Sequence, residues 1–237
     1  MQIELLQLIE GARKARGLTV IIDVFRAFST ACYIIDNGAD RIIPVADIQK
    51  AYQLKEENPD FILVGERGGK IQPGFDYGNS PALIRSVDFT GKTVIQTTSA
   101  GTQGLINATG AGEIITGSFV NTGAVLRYIK EKIPERVSLV SMGLAGIKPA
   151  AEDDFCAEYI KNKLEDKKVN FPKIVEQLRR GSGRRFFNPA NRVWSPPEDF
   201  KLCLKLNNFN FVLQAMKTRE DLIFLQKYKP RKGGGDA

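Results

Sequence analysis

The chain has 237 residues, 34 Lys and Arg against 27 Asp and Glu for a formal charge of +7, and no histidine. That length makes one large α/β domain or two modest ones, and either buries a substantial core. Without histidine, Ser-His-Asp triads, phosphohistidine phosphatases and imidazole metal sites are excluded.

In chain order, the β-branched run at 18–23 predicts a buried strand. Helical spacing follows from Ala27 to Asp36 and stops at Asn37-Gly38. A strand at 41–45 leads to Asp47, which can cap a helix carrying Ile48, Ala51, Tyr52 and Leu54 that ends before Asn58-Pro59. Residues 61–64 form a third strand, and a Gly- and Pro-rich loop spans 65–81. Strand 93–96 with helix 101–108, strand 113–116 with helix 121–132, and strand 137–142 with helix 152–164 complete the repeat. Such alternation implies a three-layer α/β/α fold around a mostly parallel sheet. Beyond Lys168 the pattern changes: a helix at 171–180, a Gly/Arg loop at 181–185, a helix at 198–206, and strands 209–217 and 222–228 as an antiparallel hairpin. We therefore expect an α/β core over 1–168, an α+β extension over 169–230 packed on it, and a flexible tail from 231 to 237.

The apolar fraction is 43% and the isoelectric point is near 9.3, as befits a globular protein with anionic partners. Much of the positive excess lies late, in Arg179-Arg180, Arg184-Arg185 and the stretch from Lys227 to Lys232, whereas the earlier clusters mix both signs. That distribution suits a pocket for a small anion better than a nucleic-acid track. Cys32, Cys156 and Cys203 are far apart among apolar neighbours and read as buried, reduced thiols of a cytoplasmic protein. The opening residues carry no leader, and no apolar run approaches the ~20 residues that span a bilayer. A homo-oligomer is compatible with the sequence.

Chemistry concentrates where strands end, the edge at which open α/β sheets bind ligands. Asp23 and Arg26 follow the first strand: the acid can ligate a metal and the arginine can grip a phosphate or sulfonate, or they can be a helix cap and a surface charge. Glu66-Arg67-Gly68-Gly69 ends another strand, with a glycine turn as its plain alternative. In the loop from Pro73 to Pro81, Asp76 and Asn79 offer oxygens to a ligand or to their own backbone. Thr97-Thr98-Ser99-Ala100-Gly101-Thr102 gathers hydroxyls and amides where a strand turns into a helix, the best candidate for an anion cradle. Asn121 is either a cap or a ligand contact, and Glu152-Asp153-Asp154 either satisfies a helix dipole or completes a metal site. The basic loop at 181–185 reads as solvated rather than phosphate-binding. With no histidine, no Cys-x5-Arg loop and no DxD after a strand, carboxylates and hydroxyls remain, and these hard oxygen ligands suit magnesium. A phosphometabolite-binding protein is the non-enzymatic alternative, though it would gain nothing from acids placed beside a polyanion.

Ile22-Asp23-Val24-Phe25-Arg26-Ala27 with Ser29-Thr30, Gly65-Glu66-Arg67-Gly68-Gly69 and Gly74-Phe75-Asp76-Tyr77-Gly78-Asn79-Ser80-Pro81 resemble signatures of the 2-phosphosulfolactate phosphatase family of coenzyme M biosynthesis. Thr97 through Gly104, Gly117 through Asn121, the acidic start at 152 with Cys156 to Ile160, and Gly183-Arg184-Arg185 are similar to its patterns too. The resemblance implies an α/β fold and magnesium-dependent hydrolysis of a small phosphate monoester to sulfolactate and inorganic phosphate, or of another small phosphorylated carboxylic acid. It places Asp23, Arg26, Glu66 and Arg67 in catalysis. Asp23, Glu66 and one of Glu152, Asp153 and Asp154 are then metal or water-activating candidates.

Overall fold

The computed structural model describes residues 1–217 and 222–231. Ten strands form one sheet: β1 (Gln2–Gln7), β2 (Gly17–Ile22), β3 (Arg41–Pro44), β4 (Ile62–Gly65), β5 (Tyr77–Gly78), β6 (Thr93–Thr97), β7 (Ala111–Gly117), β8 (Arg136–Ser141), β9 (Val212–Lys217) and β10 (Ile223–Tyr228). Their spatial order is β1-β8-β2-β7-β9-β10-β3-β6-β4-β5. The first four are mutually parallel, as are the last four. The hairpin strands β9 and β10 sit between the two groups and pair antiparallel with each other, with β7 and with β3. The last strands of the chain thus lie in the middle of the sheet; the residues expected at the turn, 218–221, and the tail from 232 fall outside the described residues.

Three antiparallel steps make the β3 group run opposite to the β2 group within the ladder. Twist compensates. At about 20–25° per strand, the six steps from β2 to β4 accumulate roughly 120–150° of rotation, which swings the reversed group back toward the first. The C-terminal ends of β2, β8, β4 and β6 consequently meet around one cavity.

Helices fill both faces: α1 (Leu8–Lys14), α2 (Ala27–Asp36), α3 (Ile48–Glu57), α4 (Pro81–Ile84), α5 (Gly101–Asn107), α6 (Thr122–Lys132), α7 (Ala151–Leu164), α8 (Phe171–Arg180) and α9 (Pro197–Cys203). Strand alternation assigns side chains to separate cores. Ile21, Ile42, Val64 and Val94 join Phe28, Ala31, Cys32 and Ile35 of α2 in the cluster between the two strand groups. Val20 and Ile22 face the opposite way, toward Val125, Ile129 and Ile160 of α6 and α7, while Ile43, Leu63 and Ile95 meet Ala51 and Leu54 of α3. Because α2 is buried almost all round, it carries no polar stripe and fixes its N-terminal turn rigidly against both groups, with Gln96 donating to the Ala27 carbonyl at 3.0 Å.

The three-layer expectation holds, and the helix after Asp47 has its cap, with the Asp47 carboxylate accepting from the Gln49 amide at 2.9 Å. Strand β1 and helix α1 are additions to the sequence reading. β1 is an edge strand with Leu5 43% exposed, so it lacks the apolar density that marked the inner strands. The loop expected over 65–81 contains the two-residue strand β5, and the basic loop is a 3-10 turn over Ser182–Phe187. All three cysteines are buried and free. No helix among the described residues is long and apolar enough to cross a membrane.

Since β9 and β10 join the two strand groups, truncation after Asn210 should abolish cooperative unfolding. Urea denaturation followed by far-UV circular dichroism checks this: a broad, non-cooperative decay is expected, whereas a retained sharp transition would mean the hairpin is dispensable.

Candidate active site

A cavity of about 480 Å³ opens where the two strand groups converge. Its floor is the tip of β2. Asp23 is 6% exposed, and its Oδ1 accepts from the Ala27 amide at 3.0 Å, closing the first turn of α2 and leaving Oδ2 as the free oxygen. Gly101 makes room for that oxygen, since a Cβ there would lie 2.8 Å from Ala27 Cβ and 3.0 Å from Asp23 Oδ2. Burial pushes the Asp23 carboxyl up to about 7; the Ala27 amide and Arg185 pull against this, while Glu66 and Glu152 add to it. Such a group changes charge near neutrality, as proton-handling carboxyls do.

Behind Asp23, Asp153 spans two strand ends. Its Oδ1 accepts from the Val24 amide at 2.7 Å and its Oδ2 from the Gly143 amide at 2.8 Å. Burial, with Asp23 and Glu152 nearby, raises its carboxyl well above the usual range despite those two donors. Glu152 is buried too, and its Oε2 has no hydrogen-bond partner among the described residues. On the facing wall, Glu66 accepts from the Ser99 amide at 2.7 Å through Oε1, and from the Gly69 amide at 2.6 Å and the Ser99 hydroxyl at 3.2 Å through Oε2. The cavity's cations are Arg26, Lys70 and Arg185. Arg26 is already paired, 2.7 Å from Asp199, and also donates to the carbonyls of Trp194 and Gly69. Burial raises the Asp199 carboxyl and the Arg26 charge opposes it. Arg185 donates to the Phe25 carbonyl at 2.9 Å, and the Lys70 ammonium lies 4.8 Å from the centre of the Trp194 ring. Asn79, buried with an unpartnered Oδ1, completes a lining that also includes Phe25, Thr98, Leu144 and Ser195.

Comparison with known proteins adds a lineage to this geometry. The profile described as 2-phosphosulpholactate phosphatase matches residues 4–218. The chain belongs to the 2-phosphosulfolactate phosphatase family. Among curated relatives named "Probable 2-phosphosulfolactate phosphatase", that of Thermoplasma acidophilum is 33% identical over 85% of this chain and 87% of its own, and that of Bacillus subtilis 30% identical over 86% and 88%. The relative of that name from Caldicellulosiruptor saccharolyticus is 40% identical over 65% of this chain and 64% of its own. Membership makes this chain a phosphoric monoester hydrolase.

Within this family member, the cavity brings together Asp23, Arg26, Glu66, Asn79, Thr98 and Ser99, with Gly101 packed against Asp23. Other expected contacts lie elsewhere. Arg67 is a brace: it donates to the Glu66 and Ala46 carbonyls at 2.7 and 2.9 Å and to Thr97 Oγ1 at 2.6 Å, which also occupies Thr97. Asp76 accepts from the Leu63 amide at 2.8 Å and meets Lys55 at 3.5 Å, latching its own loop. Asn121 closes a capping box with Ser118. The expected anion cradle is largely self-satisfied, because the amides of Thr98 and Thr102 bond to each other's hydroxyls at 3.1 and 3.3 Å and the Ser99 amide holds Glu66. Asp154 turns away on α7 to accept from Gln7 at 2.9 Å, the consequence of about 100° of helical rotation per residue. Conversely, Arg185, read as solvated, lines the cavity, as do Lys70, which directly follows the strand-end cluster Glu66 to Gly69, and Trp194, whose sequence surroundings carried no strand-end signal.

Could these residues hold a divalent cation? No three acidic or thiol side chains among the described residues form a protein-only cage. Magnesium seldom uses one, taking one or two carboxylates and completing its shell with water and substrate oxygens. Asp23 brings its free Oδ2 to the cavity, and Glu152, outside the lining, brings a buried Oε2 without a partner among the described residues and a charge that acts on Asp23, repulsion that a cation would relieve.

The burial of Asp23, with the nearby acids adding to it, gives a stability test on protein held in chelator. A carboxyl whose folded value is about 7 against an ordinary 3.8 favours folding below pH 3.8, and that contribution is lost as pH rises through about 7. Asp23→Asn keeps the acceptor for Ala27 without the charge. Its melting temperature should exceed the parent's by several degrees at pH 8, each kcal/mol being worth about 2–4 °C at this size, and the margin should narrow toward pH 5. A margin independent of pH, read by calorimetry, would contradict the assignment.

Proposed function

We propose that this chain is a magnesium-dependent phosphatase that hydrolyses 2-phosphosulfolactate to sulfolactate and inorganic phosphate. The observation that carries the reading is the meeting, in one small cavity, of the buried Asp23 carboxylate, whose Oδ2 is left free, with the cations Arg185 and Lys70. Its substrate follows from the names of the curated relatives and from the lining. Phosphate, sulfonate and carboxylate on a three-carbon skeleton need several separated cationic contacts, and Arg185 and Lys70 stand on different loops of the wall. Phe25 and Leu144 supply apolar surface for the short skeleton.

In the reaction, water delivers hydroxide to phosphorus, the P–O ester bond breaks, and the departing ester oxygen takes the proton. Asp23 and Glu152 would hold the magnesium ion, which supplies neutralisation of phosphate charge and polarisation toward attack. Around it, Arg185, Lys70 and the Asp199-paired Arg26 of the cavity wall attract and orient the anion, with Arg185 held by the Phe25 carbonyl and Lys70 by the Trp194 ring. Asn79 Oδ1 offers an acceptor to a hydroxyl or water. Glu66 keeps the turn at Ser99 in place through both carboxylate oxygens.

Phosphate release measured over a panel of small phosphate esters tests the proposal. Activity should be greatest with 2-phosphosulfolactate, vanish in excess chelator and return with magnesium. Asp23→Asn should lose at least about 100-fold in kcat, on the scale of removing a positioned proton-handling or charged group. Turnover that persists unchanged in chelator would refute the metal requirement, and a stronger preference for a phosphorylated acid without sulfonate would replace the substrate.

A further inference from the structure

Asp199 lies outside every motif that drew attention in the sequence, yet it is wholly buried beside the cavity and its two oxygens serve different walls. Oδ2 meets Arg26 at 2.7 Å. Oδ1 accepts from the Ser80 hydroxyl at 2.8 Å and from the Ala82 amide at 2.9 Å, at the start of α4 directly after Asn79. Arg26 comes from the tip of β2, Asn79 from the segment after β5 in the opposite strand group, and Asp199 from the first turn of α9. The carboxylate therefore joins the two groups of strands at the cavity itself.

We propose that Asp199 is a positioning residue for substrate binding, holding Arg26 and Asn79 at a fixed separation across the cavity wall. Arg26 is 5% exposed, and a buried guanidinium without its counter-charge reorganises or draws in water. Its remaining hydrogen bonds, to the carbonyls of Trp194 and Gly69, go to loops and not to a strand or helix, and its other contact is the Phe186 ring, 6.0 Å from the guanidinium. Asn79, with its Oδ1 unpartnered, has no hydrogen bond of its own there to fix that oxygen; the turn behind it does so, and that turn is bonded to Asp199. A purely structural ion pair would not need to split its oxygens between the two sides of a binding cavity.

The inference rests on the reading of this cavity as the phosphate-ester site, and the test separates the two. Trp194 is the chain's single tryptophan, its carbonyl accepts from Arg26 and its ring lies under Lys70, so its emission reports the cavity wall. Inorganic phosphate, the product of any phosphomonoesterase, is titrated against that emission in the parent, Asp199→Asn, Arg26→Gln and the double variant, alongside steady-state kinetics. Asn at 199 keeps an acceptor for Ser80 and Ala82 but removes the charge facing Arg26. The expected result is a rise of roughly 10- to 100-fold in the phosphate dissociation constant and in KM for Asp199→Asn. kcat should be much less affected, and the double variant should be no worse than the poorer single one. Should Asp199→Asn fail to fold, Ser80→Ala breaks the neutral arm alone and should weaken phosphate binding a few-fold. Variants that bind phosphate like the parent, with only a lower melting temperature, would overturn the positioning role and leave the phosphatase intact. A parent protein that neither binds phosphate nor turns over the ester would overturn the cavity reading, and this inference with it.

Discussion

Like-charged carboxylates buried together at the tip of β2 are the constraint around which this molecule is arranged. Asp23, Glu152 and Asp153 stand within electrostatic reach of one another, and burial raises the carboxyls of Asp23 and Asp153. Repulsion of this kind would open a loosely built strand end. The fold resists it with backbone amides: Ala27 for Asp23, and Val24 and Gly143 for Asp153. Glu66 is held in the same manner from the facing wall. What remains is a small set of oxygens, Asp23 Oδ2 and Glu152 Oε2, that no protein donor satisfies among the described residues. The proposed magnesium would be their counter-charge.

Holding such a cluster requires rigid supports from both sides, which explains the topology. A conventional parallel sheet would place β2 and β4 side by side. Here the C-terminal hairpin separates them and reverses the ladder, and accumulated twist brings the strand ends back to face each other across α2. The cavity is thus a junction between two walls of one sheet rather than a groove on its edge. Asp199 and Gln96 are cross-links at that junction, one to Arg26 and one to the first turn of α2.

Sequence periodicity revealed the inner strands and most helices because two-sided burial leaves continuous apolar runs, as in Leu18 to Ile22. It did not reveal β1, whose half-exposed edge position needs no such run. The rule that ligands meet strand ends pointed to Asp23 and Glu66, which follow apolar strands directly and line the cavity. The same rule was misleading for Arg67 and Asn121. Strand ends also need braces, and residue type alone does not separate a guanidinium that binds carbonyls from one that binds substrate. Asp154 failed because adjacent helical residues point in different directions. Lys70 was passed over although it directly follows the strand-end cluster Glu66 to Gly69, while Trp194, Arg185 and Asp199 were missed for another reason. Their roles depend on the segment from 182 to 199 folding over the strand ends, a tertiary contact with no local signature.

Direct calorimetric titration of magnesium tests, without relying on any substrate, whether the buried acids form an incomplete charge cluster that a cation completes. The parent chain should bind one ion per molecule at pH 8, while Glu152→Gln, which preserves shape and removes one orphaned charge, should bind at least tenfold more weakly without losing its fold. Equal affinity in the two proteins, or no binding in either, would contradict it.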